Sequence, residues 1–213
     1  GRVRVLKDSY SDCRYDEATL FAEELPFPNG ISVWRSGVIV TAAPDILYLP
    51  DADGDGRADR RDVLYTGVSQ GTPQLRLNGL RWGLDGWLYC GNGMSTVDEL
   101  RSVASGATLN LRGRDMRIQP DGGHLDPQVG MSQYGRSRDD WGNWFGVSNN
   151  RPIWHFTLAD QYLRRNPHVP PPAGQHDLWT TTDWQTIYPR SEKGVFFHPS
   201  EVGRFTSANS TIV

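Results

Sequence analysis

The chain matches itself at long range. Asp8, Asp12 and Asp16 recur as Asp51, Asp55 and Asp59 after 43 positions, and Asn29-Gly30 recurs as Asn78-Gly79 after 49. Between these points Thr19-Leu20-Phe21 answers Val63-Leu64-Tyr65. Units of about 40–50 residues, each with four short apolar segments and turn residues in fixed order, are the pattern of β-propeller blades. A β-sandwich would not repeat its turn signals in this order. Twenty-three Gly, 14 Pro, 8 Trp and 11% aromatics suit short strands and tight turns better than a helical bundle. The expected fold is all-β: a partial propeller of the six-bladed type, about four blades with a loop and short-helix insertion.

Hydrophobic patterning places the strands. One unit, 29–68, has strands at 30–34, 37–42, 45–49 and 62–68. The next, 78–129, has them at 79–82, 86–91 and 115–119, with a weaker one after Gly123. A further unit, 142–200, opens at 143–147 and 152–157 and carries an insertion at 158–183. Residues 1–25 supply the last strands of an earlier blade, and 205–213 open another. The insertion reads as one or two helical turns at 159–166 and then a proline run that cannot join a sheet ladder. Propeller connections alternate between two faces. The segments 26–29, 69–78, 91–114 and 134–143 are expected on the channel-mouth face.

Residues 51–62 carry the clearest chemistry. Asp51, Asp53, Asp55, Asp59 and Asp62 stand at loop positions 1, 3, 5, 9 and 12, with Gly56 at the sharp turn and the Arg57 carbonyl at position 7. That spacing suits calcium, a hard cation bound by oxygen. The connection lies between third and fourth strands, on the face away from the channel mouth, so the ion is expected to be structural. Its sister loop keeps Asp8, Asp12 and Asp16 but has Tyr10 at position 3, Cys13 for the turn glycine and Thr19 at position 12. It reads as a degenerate, empty copy.

Other classes are poorly supported. Net charge is −3 with no basic stripe, which argues against nucleic acid. No apolar run reaches the ~20 residues of a membrane helix. Cys13 and Cys90 match no zinc or haem spacing and read as unlinked structural thiols. There is no G-x-G-x-x-G dinucleotide fingerprint, phosphate loop or H-E-x-x-H. Opening on Gly1 without Met and stopping in Thr211-Ile212-Val213, the chain is expected to be a fragment.

Several strings are distinctive: LPFPNG (25–30), VTAAPDILYL (40–49), NGLRWGLDGW (78–87), RDDWGNWFG (138–146) and YLRRNPHV (162–169). Together they resemble the membrane-bound-dehydrogenase propellers of planctomycetes and verrucomicrobia, related to soluble glucose/sorbosone quinoprotein dehydrogenases. The resemblance covers nearly the whole chain. It implies an exported, periplasmic or secreted enzyme that oxidises a sugar or alcohol with pyrroloquinoline quinone. Electrons would pass to a haem-binding cytochrome domain that full-length relatives carry. Such chemistry needs a base and cations for the quinone carboxylates. The channel-face candidates are Arg138, Asp140 and Asn143, with Asp139 and Asn78 beside them; Arg164, Arg165 and His168 lie on the insertion, and Arg76 and Arg136 are candidates for the cofactor. No base matches the quinoproteins residue by residue.

Each candidate has a structural alternative. Arg138, Asp139 and Asp140 suit a hydrogen-bonded corner equally well. His124 suits a turn, His155 a half-buried strand and His168 an exposed loop, while His176 and His198 show no partner by spacing. Trp82, Trp87, Trp141 and Trp144 suit blade packing. The alternative function is a noncatalytic, calcium-stabilised propeller that binds carbohydrate or a protein partner.

Overall fold

Strand-forming runs that are apolar on both faces dominate the centre of the computed structural model, which describes residues 1–94, 99–111, 113–166, 168, 173–178 and 208–209. β4 (Gly37–Ala42) and β5 (Asp45–Pro50) show why. Ile39, Ile46 and Tyr48 face one neighbouring sheet, while Val40, Ala42, Leu47 and Leu49 face the other. A strand buried on both sides reads as a continuous apolar run. Stacked antiparallel sheets impose that burial here.

The sheets are blades of a partial β-propeller. The first is the ribbon β1 (Val3–Lys7) and β2 (Glu17–Ala22). The second contains β3 (Gly30–Trp34), β4, β5 and β6 (Asp62–Thr66). The third is β7 (Asn78–Trp82), β8 (Leu88–Gly91), then, after a hairpin, β11 (Asp115–Gln119) and β12 (His124–Gln128). The fourth is β13 (Arg136–Arg138), β14 (Trp144–Ser148), β15 (Arg151–Phe156) and β16 (His176–Asp177). Between β15 and β16 lies the helical turn α1 (Asp160–Leu163), where the sequence places one.

Two features differ from expectation. The fourth blade does not open at 143. Its first strand is β13, and the strands expected first and second are second and third. The segment 136–138 is Arg-Ser-Arg, with no apolar residue to mark it as a strand. The insert 91–114 also does not stay at the channel mouth. Its hairpin, β9 (Leu100–Ser102) and β10 (Thr108–Leu109), crosses to the rim and pairs with β6, extending the second blade to six strands. Leu100 and Leu111 anchor it in the core shared by the second and third blades. The rest of the insertion (167 and 169–172), the residues 179–207 and the next-blade segment 210–213 lie outside the described residues, as does His198.

Inner strands β3, β7 and β13 lie side by side. Gly79 and Gly135 touch backbone to backbone there: a Cβ on Gly135 would stand 2.7 Å from the Gly79 Cα. Asn78 ties the same two blades, its side-chain amide donating to the Arg76 and Gln133 carbonyls, both at 2.8 Å.

Candidate functional site

Strand direction sorts the loops. The connections β3–β4, β5–β6, β7–β8, β11–β12, β13–β14 and β15–β16 emerge on one face. Those leading into β3, β7 and β13 emerge on the other.

The β5–β6 loop folds around its own aspartates. Asp51 accepts the N–H groups of Gly54, Asp55 and Gly56, Asp55 accepts that of Arg57, and Asp59 accepts that of Ala52. The sister loop reproduces this scheme: Asp8 accepts from Asp12 and Cys13, Asp12 from Arg14, and Asp16 from Ser9. The Ser9 N–H holds the Asp16 carboxyl below the usual carboxylate range. Cys13 even adopts the left-handed conformation of its counterpart, φ 66° against 80° at Gly56. Carboxylate-to-amide bonds therefore encode the turn in both copies.

Carboxylate oxygens of Asp51, Asp53 and Asp55 lie within 4.8 Å of one another, a spacing one cation with ligands at about 2.3–2.6 Å can span. The Asp59 and Asp62 oxygens lie outside this group. Asp59 is held by the Ala52 N–H at 2.8 Å, and both Asp62 oxygens accept from Arg60 Nε at 3.1 and 3.0 Å. The loop is stapled to the first blade by Ala58 N–H to the Phe21 carbonyl (2.8 Å) and Arg61 to the Glu23 carbonyl (2.6 Å).

The cofactor candidates are committed internally. Arg76 donates to the Gln70 and Gly71 carbonyls and lies over the Phe27 ring. Arg136 donates from Nε to Asp115 at 2.8 Å and from Nη2 to the Val129 carbonyl, with its guanidinium over Phe156. The Arg136 and Asp115 side chains are 2% and 0% exposed. Burial pushes the Asp115 carboxyl up, while Arg136, the N–H groups of Asn92 and Ser132 and the Ser132 hydroxyl pull it down.

The candidates 138–143 form the β13–β14 turn. Because β13 precedes them, they share the face of the acidic 51–62 loop instead of the channel mouth; Leu84, in the β7–β8 turn, lies 3.2 Å from where a Gly142 Cβ would be. Asp139 accepts from the N–H groups of Trp141 and Asn143 and from the Asn143 amide at 2.7 Å. Burial raises its carboxyl, but those bonds outweigh it and hold the group below the usual range. Arg138 donates to the Asp139 carbonyl, and Asp140 is exposed. Trp141 is not a packing residue: it is 85% exposed.

Arg164 belongs to another assembly. It donates to Asp126 on β12 and pairs with Asp160 at 3.3 Å, while Arg114 also binds Asp160. Arg117, which sequence reasoning did not single out, is the hub. Its bonds to Asp126 (2.7 Å), Asp85 (2.8 Å) and Gln161 (2.5 Å) pin α1 to the third blade. Arg165 and His168 are exposed. Arg164 and the 138–143 turn thus share no hydrogen bond or ion pair. A buried Asp–Arg pair 21 residues apart, or Arg117 with a partner 44 residues on, leaves no spacing signal in the chain.

Three stacked blades and a two-stranded ribbon with a self-supported acidic loop define a propeller domain. The chain belongs to the DUF7133 family, a domain of unknown function matched over residues 1–213. Among solved structures, a luciferin-regenerating enzyme is similar at 12% identity and a TM-score of 0.49, over 77% of this chain and 50% of that one. Virginiamycin B lyase from Staphylococcus aureus is similar at 15% identity and a TM-score of 0.33, over 61% and 52%. The chain spans about half the length of these two structures. No curated protein matches it.

Proposed function

We propose that this domain is a noncatalytic, calcium-stabilised β-propeller module whose ligand is a carbohydrate. One observation carries the reading: most of the cationic side chains that quinoprotein chemistry would draw on already have partners within the fold. Arg136 serves Asp115, Arg76 caps backbone carbonyls, and Arg138, Asn143 and Arg164 divide between two structural networks. Calcium at Asp51, Asp53 and Asp55 would clip the second blade to the first, away from the channel mouth. The competing reading is an exported sugar or alcohol dehydrogenase that uses pyrroloquinoline quinone and a cytochrome domain. It is supported by the five sequence strings.

A single comparison separates them. The full-length protein, incubated with pyrroloquinoline quinone and calcium, is expected to give no dye-linked oxidation of a sugar and alcohol panel, while it binds carbohydrate on a glycan array. Turnover of any panel member would overturn the binding-module reading.

Calcium has its own test. Thermal melts should show a melting temperature that rises with calcium, corresponding to about 2.7 kcal/mol at 100 times the dissociation constant. The double variant D53A/D55A should lose that response, because two of the three convergent carboxylates are gone. An equal calcium response in the variant would show that the ion binds elsewhere.

A further inference from the structure

We propose that the cavity between the third and fourth blades is a binding site for one uncharged sugar ring, an inference that rests on the binding-module reading. The cavity holds about 200 Å³. That is below the about 300–1,000 Å³ of pockets for larger ligands, so it suits one ring better than a chain.

Cross-strand register builds its walls. Asp115 pairs with Gln128 and Arg117 with Tyr89, so all four side chains face the fourth blade, where Asp115 meets Arg136. Trp144 pairs with Phe156 on the opposing wall, and the Tyr89 and Trp144 rings pack against each other, centroids 4.2 Å apart, closing that side of the cavity. The half-buried Trp144 keeps part of its apolar surface toward the cavity, where it can meet the C–H groups of a sugar. The buried Arg136 and Gln128 form the inner end, and the exposed Asn143 stands at the mouth.

Polar chemistry at the inner end is complementary to hydroxyl groups. Arg136 uses Nε and Nη2 internally, and its Nη1 makes no hydrogen bond among the described residues, so it can donate to a ligand oxygen. Gln128 donates from Nε2 to Asp126 (3.0 Å) and to the Pro127 carbonyl (2.8 Å), which leaves its amide oxygen to accept a hydroxyl. The charge of Arg136 is already balanced by Asp115, and no carboxylate lines the cavity. An anion would find no surplus positive charge, and a cation no counter-ion. His155 also lines the cavity, but its ring stacks on its cross-strand partner Phe145.

The test is titration of the full chain, by calorimetry and ligand-observed NMR, with glucose, galactose, mannose, xylose and N-acetylglucosamine, and with gluconate as the charged control. At least one neutral sugar should bind, with a dissociation constant of about millimolar order for so small a ligand. A159F, which fills the cavity from the start of α1 and removes no hydrogen bond, should weaken binding at least tenfold with unchanged circular dichroism. N143A should weaken it about threefold. If A159F fails to fold, sugar-induced tryptophan quenching is compared between wild type and W144F, and quenching retained in W144F overturns the site. So does wild-type affinity in A159F, or gluconate binding tighter than every neutral sugar. Glycan-array binding without binding of any of the five sugars overturns this site and leaves the module reading standing. Dye-linked turnover overturns that parent reading itself.

Discussion

Replacing Arg136 with methionine is expected to destabilise the domain by about 3–5 kcal/mol, measured by urea unfolding at neutral pH. The expectation follows from what stays behind. Asp115 is fully buried, and without the guanidinium its charge keeps only the Asn92 and Ser132 donors. An exposed ion pair would be worth no more than about 1 kcal/mol, so the size of the loss measures burial. Its pH dependence has a definite sign. Burial raises the folded-state pKa of Asp115 above its unfolded value, and removing Arg136 raises it further. The folded variant therefore holds a proton that the unfolded chain has released, and stability falls as pH rises above the unfolded carboxylate range. The deficit of R136M should be largest near pH 7 and shrink as pH is lowered toward 4. The double variant D115L/R136M should recover only part of the loss. It removes the unpaired charge but strands the N–H groups of Asn92 and Ser132, at about 1–3 kcal/mol each. A loss under about 1 kcal/mol in R136M would mean that the pair is solvated and the two blades are not packed as described.

That pair also marks where the sequence stops being legible. Blades two and three can be read from the chain because their strands are buried on both faces, and apolar runs such as 37–42 and 115–119 announce themselves. β13 is equally buried, yet its residues are Arg-Ser-Arg, and the apolar rule passes over it. Its burial depends on a carboxylate from another blade, a contact between residues distant in sequence. Missing β13 shifted the fourth blade by one strand and moved the 138–143 turn to the wrong face. The hairpin at 100–109 was hidden for a similar reason: Leu100 and Leu111 look like loop residues until the second blade's outer strand supplies their partner. Charge type is written in the sequence, but charge availability is not. Arg76, Arg136 and Arg164 are all cations of the sort that hold a cofactor, and only the folded chain shows that carbonyls and aspartates already hold them. The acidic loop was half legible. Its turn and the proximity of Asp51, Asp53 and Asp55 follow from spacing, whereas the pairing of Asp62 with Arg60 does not.

Gly79 offers the sharpest test of the propeller axis. Gly79→Ala is expected to cost about 3–4 kcal/mol in equilibrium unfolding, from two sources that a control can separate. At φ +65° an L residue carries about 1–2 kcal/mol of left-handed strain. The added methyl would also press into the Gly135 backbone, whose nitrogen lies 3.0 Å from the Cβ position and whose Cα lies closer still. Overpacking of that kind adds about 1–3 kcal/mol, since the obstacle is backbone and cannot rotate away. Gly86 is the control. Its φ is +76°, but nothing lies within 4 Å of its Cβ position, so Gly86→Ala should cost the strain alone. The difference between the two variants isolates the contact between β7 and the segment entering β13. Because those are the inner strands of adjacent blades, the difference reports how tightly the blades converge on the channel. Equal losses in the two variants would mean that Gly79 and Gly135 do not touch, and that the third and fourth blades do not converge as the propeller requires.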